Sequence, residues 1–129
     1  MSEIWKDIPD YEGYYKASSF GRIKSLKRNP IRDNKKYKKH NLTVNECIRK
    51  PTVHSSGYSR IGLCKNGVST SYYIHNLIAI SFIGPKPERH DVDHINKNRL
   101  DNNLNNLRYL DYKSNRGLTG NKHAKNECK

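Results

Sequence analysis

DVDHINKNRLDNNLNNLRYLDYKSNRG, residues 91–117, is the stretch whose reading settles the rest of the chain. A carboxylate stands beside an imidazole (Asp93, His94), and a loop crowded with asparagines follows. A short apolar run from Leu107 to Leu110 then leads to a helix start at Asp111 that carries Asn115. The pattern predicts strand, polar loop, strand, helix. The stretch is too polar to form a core of its own, and ordering an asparagine-rich loop costs backbone entropy that needs a return. A histidine can serve as a general base near neutral pH. A carboxylate and an amide oxygen are hard ligands suited to Mg²⁺, Mn²⁺ or Ca²⁺ and not to a thiolate-type zinc site.

Val92-Asp93-His94-Ile95, Asn98, Asn102-Asn103, Asn106-Leu107-Arg108-Tyr109 and Asn115 together resemble the HNH motif, the ββα-metal finger of phage and intron homing endonucleases. The resemblance implies His94 as general base, Asp93 and Asn115 as metal ligands, and Asn106 as a catalytic-centre residue that braces the loop. It also implies a divalent cofactor, Mg²⁺ with Mn²⁺ able to substitute. Two positions depart from the family. Lys97 stands where glycine is usual, and that glycine suggests a positive φ. Tyr109 replaces a tryptophan.

Composition points the same way. The net charge is +13, from 25 Lys and Arg against 12 Asp and Glu. Such an excess points to a polyanionic partner, nucleic acid before others, and the resemblance implies double-stranded DNA. Only 33% of the 129 residues are hydrophobic, which allows one domain or two small modules with a thin core. The three cysteines (Cys47, Cys64, Cys128) form no C-x-x-C pair. Neither a zinc knuckle nor a disulfide framework is indicated, and a reducing cytoplasm fits. No apolar stretch approaches the ~20 residues of a membrane span, and the N-terminus lacks a secretory segment.

Residues 3–26 read as a small β-ribbon anchored by Trp5, Ile8, Tyr11 and Tyr15, with turns at Pro9-Asp10, Glu12-Gly13 and Ser18–Gly21. The run Trp5-Lys6-Asp7-Ile8, Tyr11-Glu12-Gly13, Tyr15, Ser18, Gly21, Ile23, Ser25 is similar to the short DNA-binding motif that often precedes HNH nucleases in phage homing enzymes. Residues 24–50 are the most basic part of the chain. Lys24, Lys27, Arg28, Arg32, Lys35, Lys36, Lys38 and Lys39 are candidate phosphate contacts on a loop or extended ribbon. A solvated linker is the other reading of the same charges.

From Gly57 the alternation of Tyr58 to Leu63, the Asn66-Gly67 turn and the return through Ser71 to Ile74 predict a hairpin. Arg60 on this ribbon is a further candidate DNA contact. His75 to Phe82 reads as a helix with Leu77, Ile78, Ile80 and Phe82 apolar, ended by Gly84-Pro85. It resembles the helix that precedes the family's finger, with His75 as a structural or phosphate-contacting histidine.

The expected architecture is therefore α+β, an N-terminal β-ribbon module followed by a ββα-metal finger. Residues 1–56 hold the DNA-binding motif and basic linker, 57–117 the nuclease segment, and 118–129 a flexible tail. Related homing enzymes often continue into a helix-turn-helix module, which is not expected here, so that site recognition rests on the N-terminal half. The expected function is a metal-dependent, phage- or mobile-element-type DNA endonuclease, acting as a monomer in the host cytoplasm. The alternative is a non-catalytic nucleic-acid-binding protein whose finger is structural or decayed.

Overall fold

Strand alternation and turn chemistry agree along most of the chain, and the computed structural model, which describes residues 2–27 and 45–111, shows what they build. Among the described residues, three antiparallel sheets surround one helix. Strands β1 (Trp5–Asp7), β2 (Tyr15–Ser18), β3 (Ile23–Ser25) and β4 (Cys47–Arg49) form the first, in that order. Strands β5 (Thr52–Val53), β6 (Ser59–Lys65) and β7 (Val68–Tyr73) form the second. The helix α1 (Ile74–Phe82) leads to the third, in which β8 (His90–His94) pairs with β9 (Leu107–Asp111) after a 3₁₀ turn at Leu104–Asn106. The fold is α+β, as expected, with strands dominant. Among the described residues no helix is long and apolar enough to cross a membrane.

Local chemistry explains the hairpins. Asn66 and Gly67 take φ of +54° and +79°, the two left-handed residues a type I′ turn requires. They join β6 to β7 in a register that places Lys65 opposite Val68. At the β2–β3 turn, Ser18 Oγ accepts from the backbone N–H of Phe20 (3.1 Å) and Arg22 (3.0 Å), so the reversal carries its own brace.

One hydrophobic cluster unites the sheets. Ile8, Tyr11, Tyr15, Ala17 and Ile23 from the N-terminal sheet meet Ile61 and Leu63 of β6, Ile74, Leu77 and Ile78 of α1, and Leu107 of β9. Residues before and after position 56 thus share a core. Each fully buried aliphatic there contributes about 1.5–3 kcal/mol. Hydroxyls tie the same parts together: Tyr11 and Tyr72 share a 2.9 Å hydrogen bond, and Tyr15 Oη accepts from the Cys64 N–H at 3.0 Å.

Several expectations need correction. Helix α1 begins at Ile74, which the sequence pattern assigned to the strand. Ile80 lies at the surface, because the buried face of α1 is Ile74, His75, Leu77, Ile78 and Ala79. Trp5 is only half-buried, with the cationic ends of Arg22 and Lys24 over its ring. The helix expected after Asp111, the tail, and most of the basic stretch lie outside the described residues.

Candidate active site

Strand β8 ends at His94, and the register sets Asp93 opposite Arg108 and His94 opposite Leu107. Asp93 and His94 are both buried. As neighbours on a strand they find different partners. Asp93 Oδ2 accepts from Arg108 Nε at 2.9 Å. His94 Nε2 lies 2.8 Å from Asn102 Oδ1, inside the protein. An amide oxygen can only accept, so Nε2 is the donor, and in the neutral ring Nδ1 is then the nitrogen with the lone pair. An imidazole held in that tautomer can take a proton at Nδ1.

The asparagine-rich loop earns its order from its own amides. Asn106 Oδ1 accepts from Asn96 N–H (2.9 Å), while its Nδ2 donates to Asn96 Oδ1 (3.0 Å) and to the Asp101 carbonyl (2.9 Å). Asn96 Oδ1 and Asn98 Oδ1 accept from the N–H groups of Asn98 and Leu100, each two residues on. These are Asx turns, the local bond that makes asparagine a turn residue. Asn106 is buried and braces the loop, touching neither Asp93 nor His94 by hydrogen bond. Hydrogen bonds from the Asn103 amide and then from Asn96 hold the Asp101 carboxyl below its ordinary range. Lys97 takes φ +69°, so this position keeps the left-handed backbone that glycine would favour.

Behind His94 lies a wall of rings. His75 packs edge-on against it at 5.0 Å between centroids, and Tyr58 lies at 5.7 Å. Tyr73 stacks on His75 at 5.3 Å. Arg99 covers Tyr58 at 4.9 Å and donates to the Ser56 carbonyl at 2.7 Å, fastening the loop to the residues before β6. Burial above all, then the charges of His94 and Lys86, push the His75 imidazole down to about 3. It is a buried part of the wall, with Nδ1 unpartnered. Tyr109, in the tryptophan position, donates its hydroxyl to the Gly84 carbonyl at 2.6 Å, and burial raises its pKa.

Asp93, expected as one metal ligand, is a buried carboxylate with hard oxygen donors; Asn115, the expected second, lies outside the described residues. Among the described residues no three His, Cys, Asp or Glu side chains gather as a metal cage. A buried carboxylate with an amide and waters nevertheless fits Mg²⁺, which keeps much of its hydration. Of the basic candidates, Arg28, Arg32, Lys35, Lys36, Lys38 and Lys39 also lie outside the described residues. Lys27 is exposed. Lys24 is turned inward, its ammonium 4.2 Å from the Trp5 ring centroid and 3.7 Å from Glu46. Arg60 lies over the Tyr73 ring at 5.6 Å, beside a depression lined by Ser71, Tyr72 and Asn76.

Sequence reasoning missed Asn102, Arg108, Tyr58 and Arg99 as neighbours of the centre. Asn102, Arg108 and Arg99 stood within the quoted stretch without a role, and Tyr58 reaches His94 only through the fold.

Comparison with known proteins places this geometry. A family model described as the NUMOD4 motif matches residues 3–64, and one described as HNH endonuclease matches residues 72–116. DNA endonuclease I-HmuI of Bacillus phage SP01 is 38% identical over 112 residues, which cover 86% of this chain and 54% of that protein. An uncharacterized HNH endonuclease, L247, of Acanthamoeba polyphaga mimivirus is 32% identical over 114 residues, covering 84% of this chain and 24% of its own. A solved structure described as DNA binding and cleavage by the HNH homing endonuclease I-HmuI superposes with a TM-score of 0.67 at 32% identity. It covers 91% of this chain and 59% of that one. The chain therefore spans about half the length of the phage enzyme it matches, 54% of it. With a NUMOD4 motif ahead of its ββ finger, the chain belongs to the HNH endonuclease family.

Proposed function

We propose that this chain is a divalent-metal-dependent DNA endonuclease of the homing type, which hydrolyses one phosphodiester of double-stranded DNA at a time. The observation that carries the reading is His94: a buried imidazole at a strand end, its Nε2 fixed on Asn102 Oδ1 at 2.8 Å and its Nδ1 left as the basic nitrogen. It sits in the segment that matches the HNH endonuclease model. His94 takes a proton from water, and the hydroxide attacks the scissile phosphorus. Asp93, with one oxygen on Arg108, would hold Mg²⁺ or Mn²⁺ together with Asn115. A bound ion of this kind supplies Lewis-acid stabilisation of the charge on the phosphate and the leaving 3′ oxygen. Asn106 supports the centre by fixing the loop that follows His94.

One base serves one strand, so the protein acts as a monomer and nicks before it cuts through. The candidate phosphate contacts are Lys27, Arg60 and the basic residues between Arg28 and Lys39; Lys24, engaged within the chain, is the weakest of them. Cys47 and Cys64 are exposed free thiols, which suits action in the reducing cytoplasm of a host cell.

The test is supercoiled plasmid with Mg²⁺ or Mn²⁺. Relaxed circles should accumulate first, and a chelator should stop the reaction. Linear product at dilute protein with no relaxed intermediate indicates a dimer. DNA binding with no cleavage under any divalent ion makes the chain a binding protein with an inert finger.

A further inference from the structure

The β2–β3 turn of the N-terminal sheet reaches the finger loop at one place. The Leu104 N–H donates to the Ser19 carbonyl at 2.8 Å. Two residues on from Ser19, Gly21 lies flat against the backbone of Asn102: a Cβ built on it meets the Asn102 carbonyl oxygen at 2.7 Å and its carbonyl carbon at 2.8 Å. Gly21 is also in the left-handed region, at φ +90°, so a side chain there is strained twice over. The turn does not float. Ser18, fully buried, accepts two backbone N–H groups, and the Ser19 N–H and Oγ both engage the backbone of Ile4. The pressed residue, Asn102, is the one whose Oδ1 holds His94 Nε2, and both are buried.

We infer that the β2–β3 turn is a positioning element of the nuclease centre: through Ser19 and Gly21 it sets the backbone of Asn102, and Asn102 sets the tautomer and orientation of His94. The inference deepens the nuclease reading and rests on it. It gives the NUMOD4 segment a part in cleavage that is separate from holding DNA. Asn102 and Gly21 act through His94, so their loss should lower the rate of the bound complex and leave DNA affinity in place.

The experiment uses the whole chain with plasmid DNA and Mg²⁺, comparing Asn102→Ala, Gly21→Ala and the double variant. Each single change should slow single-turnover cleavage at saturating DNA at least about tenfold, within the range for disabling a general base. DNA affinity measured with a chelator present should change less than about twofold. Because Gly21 works through Asn102, the double variant should cleave no more slowly than Asn102→Ala alone, whereas independent sites multiply their effects. Asn102→Asp, which keeps the acceptor oxygen, should recover most of the rate. Imidazole ¹⁵N spectra should show His94 protonated at Nε2 in the unaltered chain and a mixture of tautomers in Asn102→Ala and Gly21→Ala.

If Gly21→Ala does not fold, Ser18→Ala loosens the same turn without a clash and should give the same spectral mixture. Multiplying effects, or a His94 tautomer indifferent to the turn variants, overturns the inference while leaving the nuclease reading intact. Absence of cleavage by the unaltered chain overturns the nuclease reading, and the spectra then decide the positioning contact by themselves.

Discussion

Lys97 shows how much one backbone angle can say. The usual glycine is absent, yet φ is +69° at this position. A left-handed conformation costs a residue with a Cβ roughly 1–2 kcal/mol, part of which glycine would give back as unfolded-chain entropy. Lys97→Gly should therefore stabilise the protein by about 0.5–1 kcal/mol, read as a higher urea midpoint with an unchanged slope. A lower midpoint would mean that the lysine side chain contributes more than its backbone costs. His94→Ala addresses the chemistry in place of the turn. It should lower the cleavage rate about 10²–10⁴-fold with DNA affinity nearly unchanged, since the imidazole is buried and turned to Asn102. Cleavage at the unaltered rate would remove His94 from the mechanism. The left-handed turn at Lys97 was marked only by the glycine usual at that place in the family, and the bracing role of Asn106 came from the resemblance and not from the local pattern. The bond from His94 to Asn102 was not legible in the sequence. Loop residues have no periodicity, and nothing in the spacing says which amide meets which ring.

Helix α1 buries an imidazole together with its aliphatic face, and that has a cost in acid. Burial and the charges of His94 and Lys86 push His75 from 6.5 down to about 3. The unfolded chain therefore takes up this proton first. Stability is fully present above about pH 6.5 and is lost as pH falls from there toward 3, by up to about 1.4 kcal/mol per pH unit. Urea unfolding between pH 6.5 and 5, above the range of ordinary carboxylates, should show a steep decline that His75→Phe flattens. An equal decline in both proteins would assign it to another group. The helix itself and the β6–β7 hairpin were readable from apolar spacing and from Asn66-Gly67. Ile80 is one of the four apolar residues noted on this helix. It is exposed because the sheets cover the face made by Ile74, Leu77 and Ile78.

For the molecule as a whole, the +13 charge should appear as counterion release. Replacing Lys35, Lys36, Lys38 and Lys39 together by serine should flatten the plot of log affinity against log salt by up to about 0.9 for each phosphate no longer neutralised. The weakening should be similar across DNA sequences, since phosphate contacts carry little sequence information. An unchanged slope and affinity would make this stretch a solvated linker and move DNA binding to Lys27 and the β6–β7 ribbon. Charge sign is compositional and so was plain from the start. The meeting of Gly21 with Asn102 joins residues far apart in the chain, and no local pattern announces it.

The shared core has a consequence for how such chains can be inherited. Ile8, Tyr15 and Ile23 complete a cluster whose other members include Leu63, Ile78 and Leu107. A recombination that joined a foreign N-terminal segment to this finger would have to bring matching apolar shapes, or leave a seam of cavities. Donors with the same Ile, Tyr and Ile contacts should graft as soluble chimeras, whatever their surface charge, while donors chosen for DNA preference alone should yield insoluble ones. Exchange of the N-terminal segment is then filtered by packing before it is ever filtered by target sequence.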